Sequence, residues 1–221
     1  MDPKTEYQKW LTSPFVSEEM KEELKAIADR EDEIRMRFSS PLAFGTAGLR
    51  GIMAAGLADM NVHTVAQATQ GLADFIVSQG GGRAVVAYDT RNNSRLFAET
   101  TAEVLAGNGV EVFLFDGPRP TPELSFAVRH LSCVAGVNIT ASHNPKEYNG
   151  YKAYGADGAQ LGPEQADAVS AFIGSHDIFE GIERIPYKKG VSAGRIRLIG
   201  KEIDEAYLSR VLEQRVDVGA F

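Results

Sequence analysis

Cysteine is almost missing from this chain: there is one, Cys133, inside an apolar run. A single thiol makes no disulfide framework, so buried apolar surface must hold the fold. The simplest reading of Cys133 is a small core side chain in a reducing compartment. Long hydrophobic runs are lacking too, and none approaches the ~20 residues a membrane-spanning helix needs. The first residues, Met1-Asp2-Pro3-Lys4-Thr5-Glu6, are polar and acidic, unlike a secretory signal. A cytoplasmic protein with no membrane partner is therefore expected. Positive charge is in deficit, with 23 Lys and Arg against 30 Asp and Glu and a formal net charge of −7. That argues against nucleic acid as a partner, but a small anion needs only a local cluster of donors. Three nucleotide and hydrolase signatures are also absent. Gly200-Lys201 is followed by glutamate rather than the Ser or Thr of a Walker loop, and neither G-x-G-x-x-G nor G-x-S-x-G surrounds a nucleophile.

What is present is an ordinary globular composition, 43% hydrophobic and 24% charged over 221 residues, enough for one large domain with an appendage. Residues 5–38 read as short helices. Ser17 precedes Glu18-Glu19-Met20 as an N-cap, and Leu24, Ile27, Ile34 and Phe38 recur at helical spacing. Residues 61–79 form a longer amphipathic helix that stops at Gly80-Gly81-Gly82. Strand-like runs at 84–88, 110–115 and 133–139 then alternate with helices from Ser94 and from Thr121-Pro122, with threonine as the expected cap. This βαβαβ order implies a largely parallel sheet, whose ligands gather at the carboxyl ends of the strands. Three loops leave those ends: Asp89-Thr90-Arg91-Asn92-Asn93, Asp116-Gly117-Pro118-Arg119-Pro120, and a loop containing Ser142-His143. Further on, Gly150 to Tyr154 alternates like a strand. Asp157-Gly158 predicts a hairpin, with Ala159-Gln160-Leu161 as its return strand. Helices are expected from Pro163 and over 202–215, with a turn-rich excursion at 175–194 between them. The end trails off through Val218-Gly219-Ala220-Phe221. His63 reads as a surface or helix-start residue without a ligand partner at useful spacing, and His130 and His176 read as structural or exposed.

The central stretch is Thr140-Ala141-Ser142-His143-Asn144-Pro145. Pro145 forces a turn, because proline fixes its own φ and moves the preceding residue out of the helical region. That lifts the Ser142 hydroxyl from the end of an apolar run to a loop apex. Lys146, Asn149 and Lys152 follow closely and bring ammonium and amide groups to it. Upstream, the three glycines of Phe44-Gly45-Thr46-Ala47-Gly48-Leu49-Arg50-Gly51 surround one arginine and permit close backbone approach to an anion.

TASHNP followed by NGYK resembles the phosphoserine loop of the α-D-phosphohexomutases, the phosphoglucomutase and phosphomannomutase superfamily. The Gly45–Arg50 string resembles that family's Gly-Thr-x-Gly-x-Arg loop, and the Asp89/Arg91 loop its arginine-containing loop near the active serine. Phe44 and the helices before it resemble the branch with bacterial phosphoglucomutases and phosphopentomutase-like members. The resemblance implies an α/β fold. It would be a three-layer α/β/α sandwich with a mixed, largely parallel sheet, preceded by a helical extension over 1–40. The phosphoserine domain would cover 41–200, and 201–221 would be a linker and the first helix of a second domain. It also implies an isomerase acting as an intramolecular phosphotransferase. A phosphorylated Ser142 donates to a sugar monophosphate, and the sugar bisphosphate formed returns its other phosphoryl group. His143 and Lys152 would assist catalysis, and Thr46, Arg50, Arg91, Asn144 and Asn149 would bind phosphate. Glucose 1-phosphate and glucose 6-phosphate are the first candidate substrates, followed by mannose and pentose phosphates. Mg²⁺ would be held partly by the phosphate on Ser142. The family's Asp-x-Asp-x-Asp-Arg metal loop is missing, as are the later sugar- and phosphate-recognition loops. The expectation is therefore a chain lacking domains II–IV that folds without turnover. The alternative is a non-catalytic phosphate-binding or regulatory module on the same fold.

Overall fold

A computed structural model describes residues 2–216. The last five residues, including the expected trailing end, lie outside the described residues. Three helices come first: α1 (Pro3–Thr12), α2 (Glu18–Lys25) and α3 (Glu31–Phe38). The Ser17 hydroxyl accepts from the Met20 amide, so Ser17 caps α2 as its position suggests. These helices bury Tyr7, Trp10, Leu24 and Phe38 against Ala55, Leu57 and Ile178 in a core of their own.

Strand β1 (Leu49–Ile52) leads to α4 (Val62–Ser78), followed by β2 (Arg83–Tyr88), α5 (Ser94–Gly107), β3 (Glu111–Phe115), α6 (Thr121–His130) and β4 (Ala135–Ile139). Next come β5 (Tyr148–Gly155), α7 (Pro163–Gly174), α8 (Tyr187–Ser192), β6 (Ile196–Ile199) and α9 (Lys201–Leu212). The sheet order is β1-β5-β4-β2-β3-β6. Strands β4, β2, β3 and β6 run parallel, whereas β5 and β1 are antiparallel to their neighbours.

Side chains alternate across each strand, and each face of the sheet receives helices. Val86, Val112 and Leu114 pack with Leu72 of α4, Leu105 of α5 and Val169 of α7. On the other face, Val85, Ala87, Phe113 and Phe115 pack with Leu124 and Val128 of α6 and Ile203 of α9. The result is the expected three-layer sandwich. Among the described residues no helix is long and apolar enough to cross a membrane.

Three local expectations change. Thr121 does not cap α6: Pro120 is the N-cap, and the Thr121 hydroxyl accepts from Asn138 Nδ2 on β4 at 2.7 Å. A buried amide without a partner is costly, so it captures the nearest hydroxyl. The return strand after Asp157-Gly158 shrinks to one bridge, Tyr154 with Gln160. The Gly155 amide donates to Ala159 O and the Leu161 amide to Ala153 O, and the chain then leaves the sheet at Gly162 to start α7. Conversely, β6 and α8 arise within and just after the turn-rich excursion. Four residues cannot form a stable strand alone; β6 exists by pairing with the open edge of β3.

Chain direction positions the site. From β2 the chain moves outward to β3, then crosses back over β2 to β4, and β4 leads away to β5. The loops after β2 and β4 thus diverge from adjacent parallel strands, the point where open α/β sheets leave a crevice.

Candidate active site

Ser142 stands in that crevice. β4 ends at Ile139 and Ala141 is fully buried, while Ser142 is exposed. Its backbone is left-handed, with φ 55°, one of three such non-glycine residues among those described. For a residue with a Cβ this conformation costs about 1–2 kcal/mol. The Thr140 hydroxyl accepts from the Ser142 amide at 3.0 Å, and the Asn144 amide donates to Ala141 O, so the turn closes on itself.

Lys152 reaches the serine from β5, where it pairs in register with Asn138 of β4. Its Nζ donates to Ser142 Oγ at 2.6 Å. Burial lowers the Lys152 pKa from the ordinary lysine value, and the nearby Arg50 guanidinium lowers it further, against the opposing pull of Asp89. The ammonium beside the hydroxyl is thus biased toward giving up its proton.

Arg50 comes from the sheet edge. On β1 it lies opposite Gly150, two residues before Lys152 on β5. Its Nη1 donates to Asn144 Oδ1 at 3.1 Å, which brings Arg50 and Asn144 to the serine loop. Close packing of β1 on β5 depends on Gly48. Its φ is 75°, and a Cβ there would lie 1.8 Å from Tyr151 O. Thr46 lies at the exposed apex of the tight turn closed by Gly45 and Gly48. His143 is exposed at the tip of the serine loop.

Two residues expected to bind phosphate have other partners. Nη2 of Arg91 donates to Ser142 O at 2.9 Å and Asn144 O at 2.7 Å, and Nη1 donates to Pro145 O at 2.9 Å and Tyr148 O at 3.2 Å. Its Nε lies 3.3 Å from Asp89 Oδ2. Asn149 is fully buried: its Nδ2 donates to Asn92 O and Ser94 Oγ, and its Oδ1 accepts from the Gly150 amide. Both side chains have their donors committed to protein carbonyls and a hydroxyl. The third rim loop is diverted as well, because Arg119 donates through Nε and Nη2 to the two carboxylate oxygens of Asp204 on α9.

Sequence reasoning missed the network behind the loop. Asp89 Oδ1 accepts from Ser94 Oγ at 2.7 Å and from the Arg91 amide at 3.0 Å, and Ser94 in turn holds Asn149. The available signal was Asp89 itself, an acid placed directly after a buried strand. In front of the network lies an open depression of about 480 Å³, bordered by Asp89, Arg91, Ser142, Asn144 and Lys146.

No group of three or more His, Cys, Asp and Glu able to hold a metal ion occurs among the described residues. Asp89, which borders the depression, is already committed to Ser94 and Arg91. These residues do not form a magnesium site by themselves.

Residues 41–178 match the phosphoglucomutase/phosphomannomutase family, alpha/beta/alpha domain I. The phosphoglucomutase of Staphylococcus saprophyticus is 41% identical over 182 residues, covering 82% of this chain and 33% of that protein. The phosphoglucomutase of Staphylococcus aureus strain USA300 is 44% identical over 153 residues, 68% of this chain and 28% of that protein. A crystal structure of a phosphomannomutase-type protein from Thermus thermophilus superposes with a TM-score of 0.67 at 33% identity, over 79% of this chain and 36% of that one. The phosphoglucomutase pp63/parafusin of Paramecium shares the fold, with a TM-score of 0.58 at 17% identity over 78% of this chain and 36% of that one. The chain thus spans about a third of the length of the curated relatives it matches.

Proposed function

The chain belongs to the phosphoglucomutase/phosphomannomutase family, as its domain I, and from that premise we propose that Ser142 carries the phosphoryl group of a sugar-phosphate mutase. The observation that carries this reading is the 2.6 Å contact of Lys152 Nζ with an exposed Ser142 Oγ held at a strained loop apex.

The chemistry follows from that contact. A phosphoserine carries about −1.5 to −2 charge, and its transfer depends mainly on positioning and on neutralising the equatorial oxygens. A sugar hydroxyl attacks phosphorus and gives its proton to a base outside these residues, which returns a proton to the leaving sugar oxygen in the reverse transfer; the P–Oγ bond breaks, and the electron pair stays on Oγ. Lys152, as the ammonium, supplies the proton that Oγ then needs. In the return step the neutral amine takes the Ser142 proton while Oγ attacks the second phosphoryl group of the sugar bisphosphate. One group serves both directions, and the burial that lowers the Lys152 pKa favours release of its proton. Arg50 gives one N–H to Asn144 and has others for phosphate oxygens. Asn144 steers Arg50, and Thr46 and His143 have exposed side chains. Arg91 and Asn149 belong to the supporting frame.

Magnesium enters this reading only as an ion that the phosphoryl oxygens on Ser142 would help to hold, with other ligands from outside these residues. Sugar selection also belongs outside them. The proposed substrates are glucose 1-phosphate and glucose 6-phosphate in the cytoplasm, with glucose 1,6-bisphosphate as intermediate. The expected result is that a protein of the relatives' full length carrying this chain labels Ser142 from glucose 1,6-bisphosphate, read by intact mass and peptide mapping. The 221-residue chain alone should not interconvert the monophosphates. Phosphate binding without any label on Ser142 would indicate a non-catalytic module instead.

A further inference from the structure

We propose that Arg91 is a positioning residue, which sets the Ser142 hydroxyl against Lys152 by gripping the backbone of the serine loop rather than by binding phosphate. The inference rests on the phosphoryl-carrier reading for its functional meaning, though its geometry stands alone.

Four terminal N–H groups of Arg91 meet four carbonyls of one seven-residue stretch: Ser142, Asn144, Pro145 and Tyr148. A guanidinium presents its donors in a rigid planar fork, and here each terminal nitrogen bridges two carbonyls. The side chain is largely shielded from solvent, with 15% exposure. Its position is fixed in turn, because Asp89 lies beside Nε and accepts from the Arg91 amide and Ser94 Oγ.

The grip falls where the loop needs it. Ser142 is left-handed, and such strain persists only where the surroundings over-determine it. The loop's own bonds are few: Ser142 N to Thr140 Oγ1, Asn144 N to Ala141 O, and Tyr148 N to Pro145 O. Lys152 needs no such help, since β5 pairs with both β4 and β1. One partner of the Ser142–Lys152 contact is thus set by the sheet and the other by Arg91.

The two roles for Arg91 predict different outcomes for a charge-conserving change. Arg91→Lys keeps the cation, but a single ammonium cannot span four carbonyls. A phosphate ligand would tolerate this change in the unligated chain, and a staple would not. The test is hydrogen exchange by NMR on the unphosphorylated 221-residue chain, following the amides of Ser142, Asn144 and Tyr148. Amides of β2 and β4 serve as the reference for global folding. Charged hydrogen bonds of this kind are strong enough that Arg91→Lys and Arg91→Ala should each speed loop exchange by about tenfold or more, with the reference amides unchanged. Arg50→Ala, which removes a single side-chain bond to Asn144, should speed loop exchange less than either Arg91 variant.

The second readout is the titration of Lys152 Nζ. The charges acting on it are Arg50 and Asp89, not Arg91, so a return toward the ordinary lysine value in Arg91→Lys reports displaced geometry. Should the Arg91 variants fail to fold, Asp89→Asn is the milder probe and should loosen the same amides to a smaller degree. Wild-type protection of the loop in Arg91→Lys would overturn the proposal, as would an unchanged loop in Asp89→Asn where that variant is needed. Failure of the phosphoryl-carrier reading appears separately, as no label on Ser142 in the longer protein, and leaves the exchange result intact.

Discussion

Ser142 combines two demands that oppose each other. Its hydroxyl must stand clear of the core, and its backbone adopts φ 55° to do so. Glycine accepts that conformation without the Cβ penalty, so the pair Ser142→Gly and Ser142→Ala separates backbone strain from side-chain chemistry. Both lose the bond to Lys152. The glycine variant is expected to be more stable than the alanine variant by about 1 kcal/mol, measured by urea unfolding. Equal stability would mean that the loop carries no strain at this residue. The serine was legible in the sequence because an apolar run ends beside an Asn-Pro turn. The use of Arg91 was not, because a basic residue near a proposed phosphate looks the same whether it faces the ligand or the backbone. Only the positions of the Ser142, Asn144, Pro145 and Tyr148 carbonyls distinguish the two.

Among the elements, the edge strand β1 matters most to the site, since it carries Arg50 to the serine loop. Among the described residues it pairs only with β5, and Gly48 permits that pairing. Gly48→Ala combines a positive φ with a Cβ pressed into Tyr151 O, so β1 must shift away from β5. The expected loss is about 1–3 kcal/mol, with faster exchange of the amides that pair Leu49 with Tyr151. A variant as stable as the wild type would show that β1 has room to move. The parallel strands β2, β3 and β4 were readable because each is a buried β-rich run between helices. Strand β6 was not, because its four residues become a strand only through the edge that β3 offers.

At the scale of the whole molecule, the three N-terminal helices dock on the α/β body through an aromatic cluster. His63, at the start of α4, packs edge-on against Trp10 and Phe179 with ring centroids 5.5 and 5.0 Å away. Burial drives its pKa from 6.5 down to about 4, with Arg184 adding to the shift. The unfolded chain therefore binds a proton between those values that the folded chain refuses. Stability is fully present above about pH 6.5 and is lost as pH falls toward 4. Asp59, raised to about 6 by burial, has the opposite slope and loses its contribution as pH rises. Comparison of wild type with His63→Phe isolates the histidine. Trp10 is the chain's single tryptophan and reports undocking by fluorescence. The midpoint of the acid transition is expected to move to lower pH in His63→Phe, and an unmoved midpoint would remove His63 from the docking contact.

By itself the sequence determined the layered α/β architecture, the serine loop and its family, because hydrophobic period, turn residues and short motifs are local properties. Tertiary structure alone decided which polar groups face outward. Asn149, Arg91 and Arg119 each found an inward partner brought from tens of residues away. A buried donor or acceptor must be paired, and which group pairs it depends on the packing of the sheet rather than on neighbours along the chain.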